Sequence, residues 1–158
     1  SGLSTRRFCF EGFLPPEKKE KAEILGLLAE ETRTMVLYEA PHRLVRTLKE
    51  LYEALGERKL TICRELTKKF ETVMPTTLEG ALAFYETEEP RGEYVLVIEG
   101  KSLLQIKQER QEGFLNLSIE EHMKRYEGEG MERKEAMKMV AKDRGISKRE
   151  IYQYMLDK

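Results

Sequence analysis

A mixed α/β domain followed by a wholly helical tail is the fold class that the sequence predicts. Two observations carry this. Up to about residue 100, short β-prone runs alternate with stretches of helical apolar spacing, which marks a layered α/β sheet. From Ser118 onward the β-prone runs stop and Ser-capped amphipathic helices follow one another.

Taken in order, Phe8-Cys9-Phe10 reads as a strand that ends at Gly12-Phe13-Leu14-Pro15-Pro16, where two prolines stop any ladder. Residues 17–31 predict a charged helix with Ala22, Leu25, Leu28 and Ala29 on its inner stripe and its Lys/Glu mixture in solvent. Residues 33–38 predict a buried strand. Pro41 then opens a helix at a position where its missing N–H does no harm. Leu44, Val45, Leu48, Leu51 and Leu55 keep helical spacing until Gly56. Strands are predicted over 58–64 and 70–74. Thr77 caps a helix carrying Leu78, Ala81, Leu82 and Tyr85, and Pro90-Arg91-Gly92 breaks the chain. Tyr94 to Ile98 is the strongest strand.

The α/β domain is thus expected over residues 1–100. Residues 101–117, rich in Gln, Lys and Glu, read as a linker or a frayed helix, and a helical tail occupies 118–158. In the tail, Glu132 to Arg144 carries Ala136, Met139, Val140 and Ala141 on one face and ends at Gly145. Ile151, Tyr154 and Met155 continue the apolar seam. A helix, a Gly-containing turn and a Ser-capped helix outline a helix-turn-helix.

Composition excludes several functions. The 158 residues are 36% charged and 40% hydrophobic, with a net charge of −1, so attraction to nucleic acid must come from local patches. Cys9 and Cys63 make no disulfide framework, which fits a reducing compartment and a cytoplasmic protein. No apolar run approaches the roughly 18 residues of a membrane span, and the start lacks the apolar core of a signal peptide. No metal is expected, because His and Cys do not fall at ligand spacing. Neither a Gly-x-Gly-x-x-Gly turn nor a P-loop is present.

Two polar stretches stand at the ends of predicted strands, where open α/β sheets hold their ligands. One is Tyr38-Glu39-Ala40-Pro41-His42-Arg43, the other Cys63-Arg64-Glu65-Leu66-Thr67-Lys68-Lys69-Phe70-Glu71. Arg64 and Glu65 emerge directly from a buried strand, where charges need partners or a use. A solvated loop with a local ion pair is the plain alternative. Arg43, Lys68 and Lys69 would form a basic rim suited to a phosphate backbone. His42, at a helix start, reads as a surface or capping residue unless another group orients it as a base. His122 reads as incidental on a charged face. From Met131 to Lys158 there are eight Lys/Arg against five Asp/Glu, which reads as a solvated helical face.

Together with Phe10-Glu11-Gly12-Phe13-Leu14-Pro15 and Gly92-Glu93-Tyr94-Val95-Leu96-Val97, these stretches resemble the C-terminal half of the RNA-modifying members of the tetrapyrrole methylase family. The resemblance covers nearly the whole chain. It implies an αβα mixed-sheet domain followed by the helical tail, and methyl transfer from S-adenosyl-L-methionine to a ribose 2′-hydroxyl of a cytidine in small-subunit ribosomal RNA. The implied partner is that RNA or the small ribosomal subunit, and the implied assembly is a homodimer. It places the cofactor against Tyr38, Glu39, Arg64, Leu66, Thr67, Glu93, Tyr94 and Val95, with Glu65 and Arg64 as the catalytic candidates. Porphyrinoid-modifying relatives commonly have Tyr-Met and Gly-Thr where this chain has Tyr38-Glu39 and Leu66-Thr67, which favours RNA. A tetrapyrrole methyltransferase domain and a non-catalytic RNA-binding module are the alternatives. The family's N-terminal domain, with its glycine-rich cofactor loop, is not in this chain. Half a cofactor site, inactive alone, is therefore expected.

Overall fold

A computed structural model describes residues 1–156. The last two positions of the expected tail lie outside the described residues, as do the side chains of Arg110 and Leu115. The chain divides into two compact units, Ser1–Ser102 and Leu103–Lys158.

The first unit runs β1 (Phe8–Gly12), α1 (Lys18–Glu30), β2 (Thr34–Glu39), α2 (Pro41–Leu55), β3 (Lys59–Arg64), β4 (Thr72–Thr77), α3 (Leu78–Phe84) and β5 (Tyr94–Ile98). The sheet order is β1-β2-β5-β3-β4. β1 is parallel to β2, and the remaining pairs are antiparallel. The most apolar strand, β5, is central and paired on both sides. Because it runs against β2 and β3, its first residues lie at the edge where those two strands end. Tyr94 stands opposite both Glu39 and Arg64.

Strand alternation sends Met35, Leu37, Leu60, Ile62, Leu96 and Ile98 to one face, where they share a single core with Leu28 of α1, Leu44, Leu48 and Leu51 of α2, and Leu78 and Ala81 of α3. Each large apolar side chain among them contributes about 1.5–3 kcal/mol by leaving water. The three helices therefore cover the same face. On the other face Phe8, Phe10, Tyr38 and Val73 stay exposed. The N-terminal segment crosses part of that face. Thr61 Oγ1 donates to the Ser1 carbonyl and Thr34 Oγ1 to the Ser4 carbonyl, each at 2.7 Å.

Lys21, Lys101 and Arg58 enter this unit's interior, and each of these has a partner. Lys21 Nζ lies 2.6 Å from Glu50 Oε1, and Lys101 Nζ lies 2.7 Å from Glu30 Oε1. Arg58 donates to the Leu55 carbonyl of α2 and the Ala29 carbonyl of α1, at 3.2 and 3.3 Å. A cation at two helix carboxyl ends satisfies acceptors that no turn of helix follows. Gly100 packs on the Thr32 backbone so closely that a Cβ would come within 2.3 Å of its carbonyl carbon.

Several sequence expectations shift. On α1 the inner stripe is Lys21, Ile24, Leu25 and Leu28, whereas Ala22 is exposed: the Glu50 carboxylate on α2 draws the ammonium inward. The fourth strand starts at Thr72 rather than Phe70, because its pairing with β3 runs from Arg64↔Thr72 to Lys59↔Thr77. Phe70 is left exposed in the turn. Pro75 is tolerated because β4 is an edge strand.

The second unit contains α4 (Leu103–Leu115), α5 (Ile119–Gly128), α6 (Arg133–Arg144) and α7 (Lys148–Leu156). Residues 103–115, expected as a linker or frayed helix, form a helix that packs on α6. Ser118 and Glu121 make the expected capping box on α5. The core is Met123, Ala136, Met137, Val140, Ala141 and Ile151. Met137 rather than Met139 faces inward, since it follows Ala136 on the stripe that also carries Val140 and Ala141. His122 is not incidental. It is fully buried, stacked 4.2 Å from Phe114 and 5.4 Å from Tyr126. Its Nδ1 accepts from Arg144 Nε at 3.3 Å, and Asp143 lies 3.4 Å from Nε2 without hydrogen-bond alignment. Burial and the Arg144 charge hold the imidazole below its ordinary pKa.

Candidate functional site

Three strand ends meet at one edge of the sheet, and the segments that leave them enclose an open cavity of about 750 Å³. Its walls come from Tyr38 and Glu39 ending β2, the 40–42 segment starting α2, Leu66 and Thr67 in the turn after β3, Glu93 to Val95 entering β5, and Phe13 after β1. Seven of the eight residues expected to hold a cofactor line it: Tyr38, Glu39, Leu66, Thr67, Glu93, Tyr94 and Val95. The eighth, Arg64, does not. Phe13, Ala40, Pro41 and His42 line it as well. Phe13 could have been found from its place in the Phe10–Pro15 stretch, but nothing in its spacing marked it.

The aromatic wall is built edge to face. Tyr38 meets Phe10 and Phe13 with ring centroids 5.0 and 5.7 Å apart. Such contacts hold the Tyr38 ring in place while leaving it partly exposed.

Behind that wall Glu39 is 2% exposed. Its Oε1 accepts the Ala40 N–H at 2.8 Å and its Oε2 accepts the Thr47 hydroxyl at 2.5 Å. Arg43 Nε lies 3.5 Å from Oε1. The carboxylate is thereby committed to fixing the start of α2, and what Glu39 shows the cavity is the strand end itself.

The turn after β3 is strained and braced. Glu65 and Thr67 take φ values of +51° and +67°, which non-glycine residues rarely adopt. Glu65 Oε1 accepts the Glu93 N–H at 2.8 Å, and the Lys68 ammonium bridges Glu65 and Glu93 at 3.4 and 2.6 Å. The Glu71 carboxylate accepts the Thr67 N–H. The Glu93 amide first, and Lys68 second, hold the Glu65 carboxyl below the usual carboxylate range. A carboxylate so stabilised is a poor proton acceptor. Glu65 does not line the cavity, so its geometry suits positioning the turn rather than removing a proton from substrate.

Arg64 points to the helical face of the sheet, opposite Tyr94 in register. Its Nε is buried without a hydrogen-bond partner among the described residues. The basic rim is largely neutralised. Arg43 donates to the Leu14 carbonyl at 2.8 Å and Lys68 is paired twice. Lys69, with its Nζ 5.5 Å from the centre of the Phe70 ring, has no carboxylate partner among the described residues.

The fold and this strand-end cavity define a class. A family model described as tetrapyrrole (corrin/porphyrin) methylases matches residues 3–82, and the chain belongs to that family. Among curated proteins it is similar to ribosomal RNA small subunit methyltransferase I. Against the Bacillus subtilis protein it is 40% identical over 152 residues, covering 96% of this chain and 52% of that protein. Against the Synechocystis protein it is 39% identical over 158 residues, covering 99% and 55%. The chain thus spans about half the length of the curated relatives it matches. A crystal structure of the methyltransferase CobJ shares 20% identity at a TM-score of 0.42, over 59% of this chain and 41% of that one. So distant a likeness bears no weight in assigning the site.

Proposed function

We propose that this chain forms one wall of an S-adenosylmethionine site in a methyltransferase that modifies a ribose 2′-hydroxyl of a cytidine in small-subunit ribosomal RNA. The observation that carries the proposal is the convergence of seven expected cofactor residues from three strand ends on one cavity. The names of the relatives support the RNA substrate.

The cavity's chemistry fits the cofactor. Tyr38, Phe13, Leu66, Pro41 and Val95 offer aromatic and apolar surface to an adenine, and the Thr67 hydroxyl and Glu93 carboxylate offer polar partners to ribose hydroxyls. When bound, S-adenosylmethionine supplies an electrophilic methyl group on a sulfonium. The chain's own residues bind and orient. Tyr38 is held by its aromatic neighbours, and the Glu65–Glu93 link sets the turn that carries Leu66 and Thr67 against β5. For a direct displacement, positioning of this kind can lower the barrier more than any other contribution these residues make. Glu65 and Arg64 act as positioning residues. The same reading carries homodimeric assembly and a cytoplasmic place of action. Among the described residues, no helix is long and apolar enough to cross a membrane.

Amide-resolved NMR of the chain titrated with S-adenosylhomocysteine tests this. Shifts concentrated at Phe13, Tyr38, Leu66, Thr67 and Glu93 to Val95, and reduced by Tyr38→Ala, are expected. Saturation that stays in the millimolar range fits half a cleft, about −4 kcal/mol. No shift at these residues overturns the cofactor assignment. For the substrate, this chain replaces the matched segment of the Bacillus subtilis relative, and methyl transfer to small ribosomal subunits is measured. Cofactor binding without transfer to the subunits overturns the RNA assignment.

A further inference from the structure

We infer that the second unit grips single-stranded RNA through a cationic hollow between the starts of α6 and α7. The inference rests on the reading that the protein acts on ribosomal RNA. The hollow has a volume of about 580 Å³ and is lined by Arg133, Lys134, Met137, Lys148, Arg149 and Tyr152. Four of these six residues are cations, and none is acidic. Among the described residues, no ion pair joins any of the four to a carboxylate. In a chain of net charge −1, four cations gathered about one shallow hollow, whose lining is mainly the apolar stems of these side chains, are a local feature that composition hides.

Both helices point their first turns at the hollow. Glu132, the N-cap of α6, makes no side-chain hydrogen bond to that turn, so the N–H groups there have no side-chain acceptor and add to the positive potential. Glu132, Glu135 and Glu150 stand on or beside the same turns but do not line the hollow, and Glu150 is engaged with Ser147 at 2.6 and 3.2 Å. Of the two uncharged lining residues, Met137 is buried, whereas Tyr152 is 55% exposed.

A single-stranded nucleic acid offers alternating phosphates and flat bases. Unpaired cations around an exposed aromatic ring match that alternation. An acidic peptide would use the cations but leave the ring idle. At the strand-end cavity, by contrast, Arg43 and Lys68 already have partners.

The test uses the chain, a fluorescein-labelled single-stranded RNA of about 12 nucleotides, and anisotropy over a range of salt concentrations. Arg133→Ala with Arg149→Ala should weaken binding at least about tenfold at low salt and reduce the salt slope by about 1.4, from two lost phosphate contacts. Tyr152→Ala should weaken binding about fivefold and leave the slope unchanged, because stacking releases no counterions. Lys68→Ala should change neither quantity. If the double variant loses helicity by circular dichroism, Lys148→Ala and Arg149→Ala singly, on the exposed first turn of α7, should each lower the slope by about 0.7. A wild-type slope in the Arg133→Ala, Arg149→Ala double variant, or in both single variants of α7 where these replace it, overturns the inference. So does absence of RNA binding by the unaltered chain, or displacement of RNA by polyglutamate as effective as by unlabelled RNA. Loss of RNA binding with intact S-adenosylhomocysteine shifts at Tyr38 would leave the cofactor reading standing, and the converse result would leave the hollow standing.

Discussion

Glu65 and Glu93 hold each other twice. The Glu65 N–H donates to the Glu93 carbonyl at 2.9 Å, and the Glu65 carboxylate accepts the Glu93 N–H at 2.8 Å. This pair ties the turn after β3 to the entrance of β5, and with them the two cavity walls they carry. Gly92 completes the arrangement. At its φ of +81°, a Cβ would lie 2.7 Å from Glu65 Oε1 and 2.8 Å from Glu65 Cγ.

The first prediction follows from that contact. Gly92→Ala should destabilise the first unit by about 1–3 kcal/mol through backbone strain and displacement of the Glu65 side chain. In a Glu65→Ala background the cost should be smaller, and a double-mutant cycle by urea unfolding reads the difference. Native-state hydrogen exchange at the Glu93 amide should quicken in Glu65→Ala. Additive energies with an unchanged exchange rate would show that the two residues are not coupled.

The second concerns the buried carboxylate behind the Tyr38 wall. Thr47→Val keeps the shape of the side chain but removes the hydroxyl that donates to Glu39 Oε2. A buried acceptor without its donor costs about 1–3 kcal/mol. The loss should appear in chemical denaturation, together with altered NMR shifts for Ala40 and Pro41 at the cavity. Adding Glu39→Gln should recover part of it, because the neutral amide needs less compensation. No recovery would mean that the group acts through packing alone.

The third is acid sensitivity in the first unit. Hydrogen bonds from Arg33 hold Glu31 at a pKa of about 2, well below the ordinary carboxylate value. A carboxyl whose folded pKa is depressed adds stability above its unfolded pKa and loses it as the pH falls through the folded one. Stability should therefore decline from about pH 4.5 toward pH 2, and Glu31→Gln should flatten that decline. Melting temperatures at several pH values check it, with an equally steep decline in the variant as the contrary result.

The fourth concerns His122, whose imidazole burial and the Arg144 charge hold below its ordinary pKa. The unfolded chain takes up a proton near pH 6.5, but the folded one resists until lower pH, so stability rises with pH across that interval. Raising the pH from about 5 to about 7 should thus raise the melting temperature of the helical unit. His122→Phe keeps the stack with Phe114 and Tyr126 and should remove most of this dependence. A variant that retains the full pH dependence would assign it elsewhere.

Local pattern alone determined much of this protein. The run Tyr94 to Ile98 declares a strand. Pro41 and the spacing of Leu44, Leu48, Leu51 and Leu55 declare α2. Ser118 with Glu121 declares the start of α5. Such signals are legible because they depend on residues within one turn or one strand of each other. The seven cavity residues were legible for a different reason: their stretches resemble those of a known family.

Tertiary structure decided what depends on a partner distant in sequence. Lys21 turns inward only because Glu50, 29 residues away, meets it. The Glu39 carboxylate, though not its strand-end backbone, is held away from the cavity by Thr47, and Glu65 becomes a brace because antiparallel β5 brings Glu93 beside it. His122 looked solvated until the stacking of Phe114 and Tyr126 enclosed it. The same holds for charge. Composition counts Arg133, Lys148 and Arg149 with every other cation, but only packing of the helices sets them around one hollow, while Lys68 is paired away by carboxylates that the sheet brings near. An electrostatic field depends on distances in space, and a sequence states only distances along the chain.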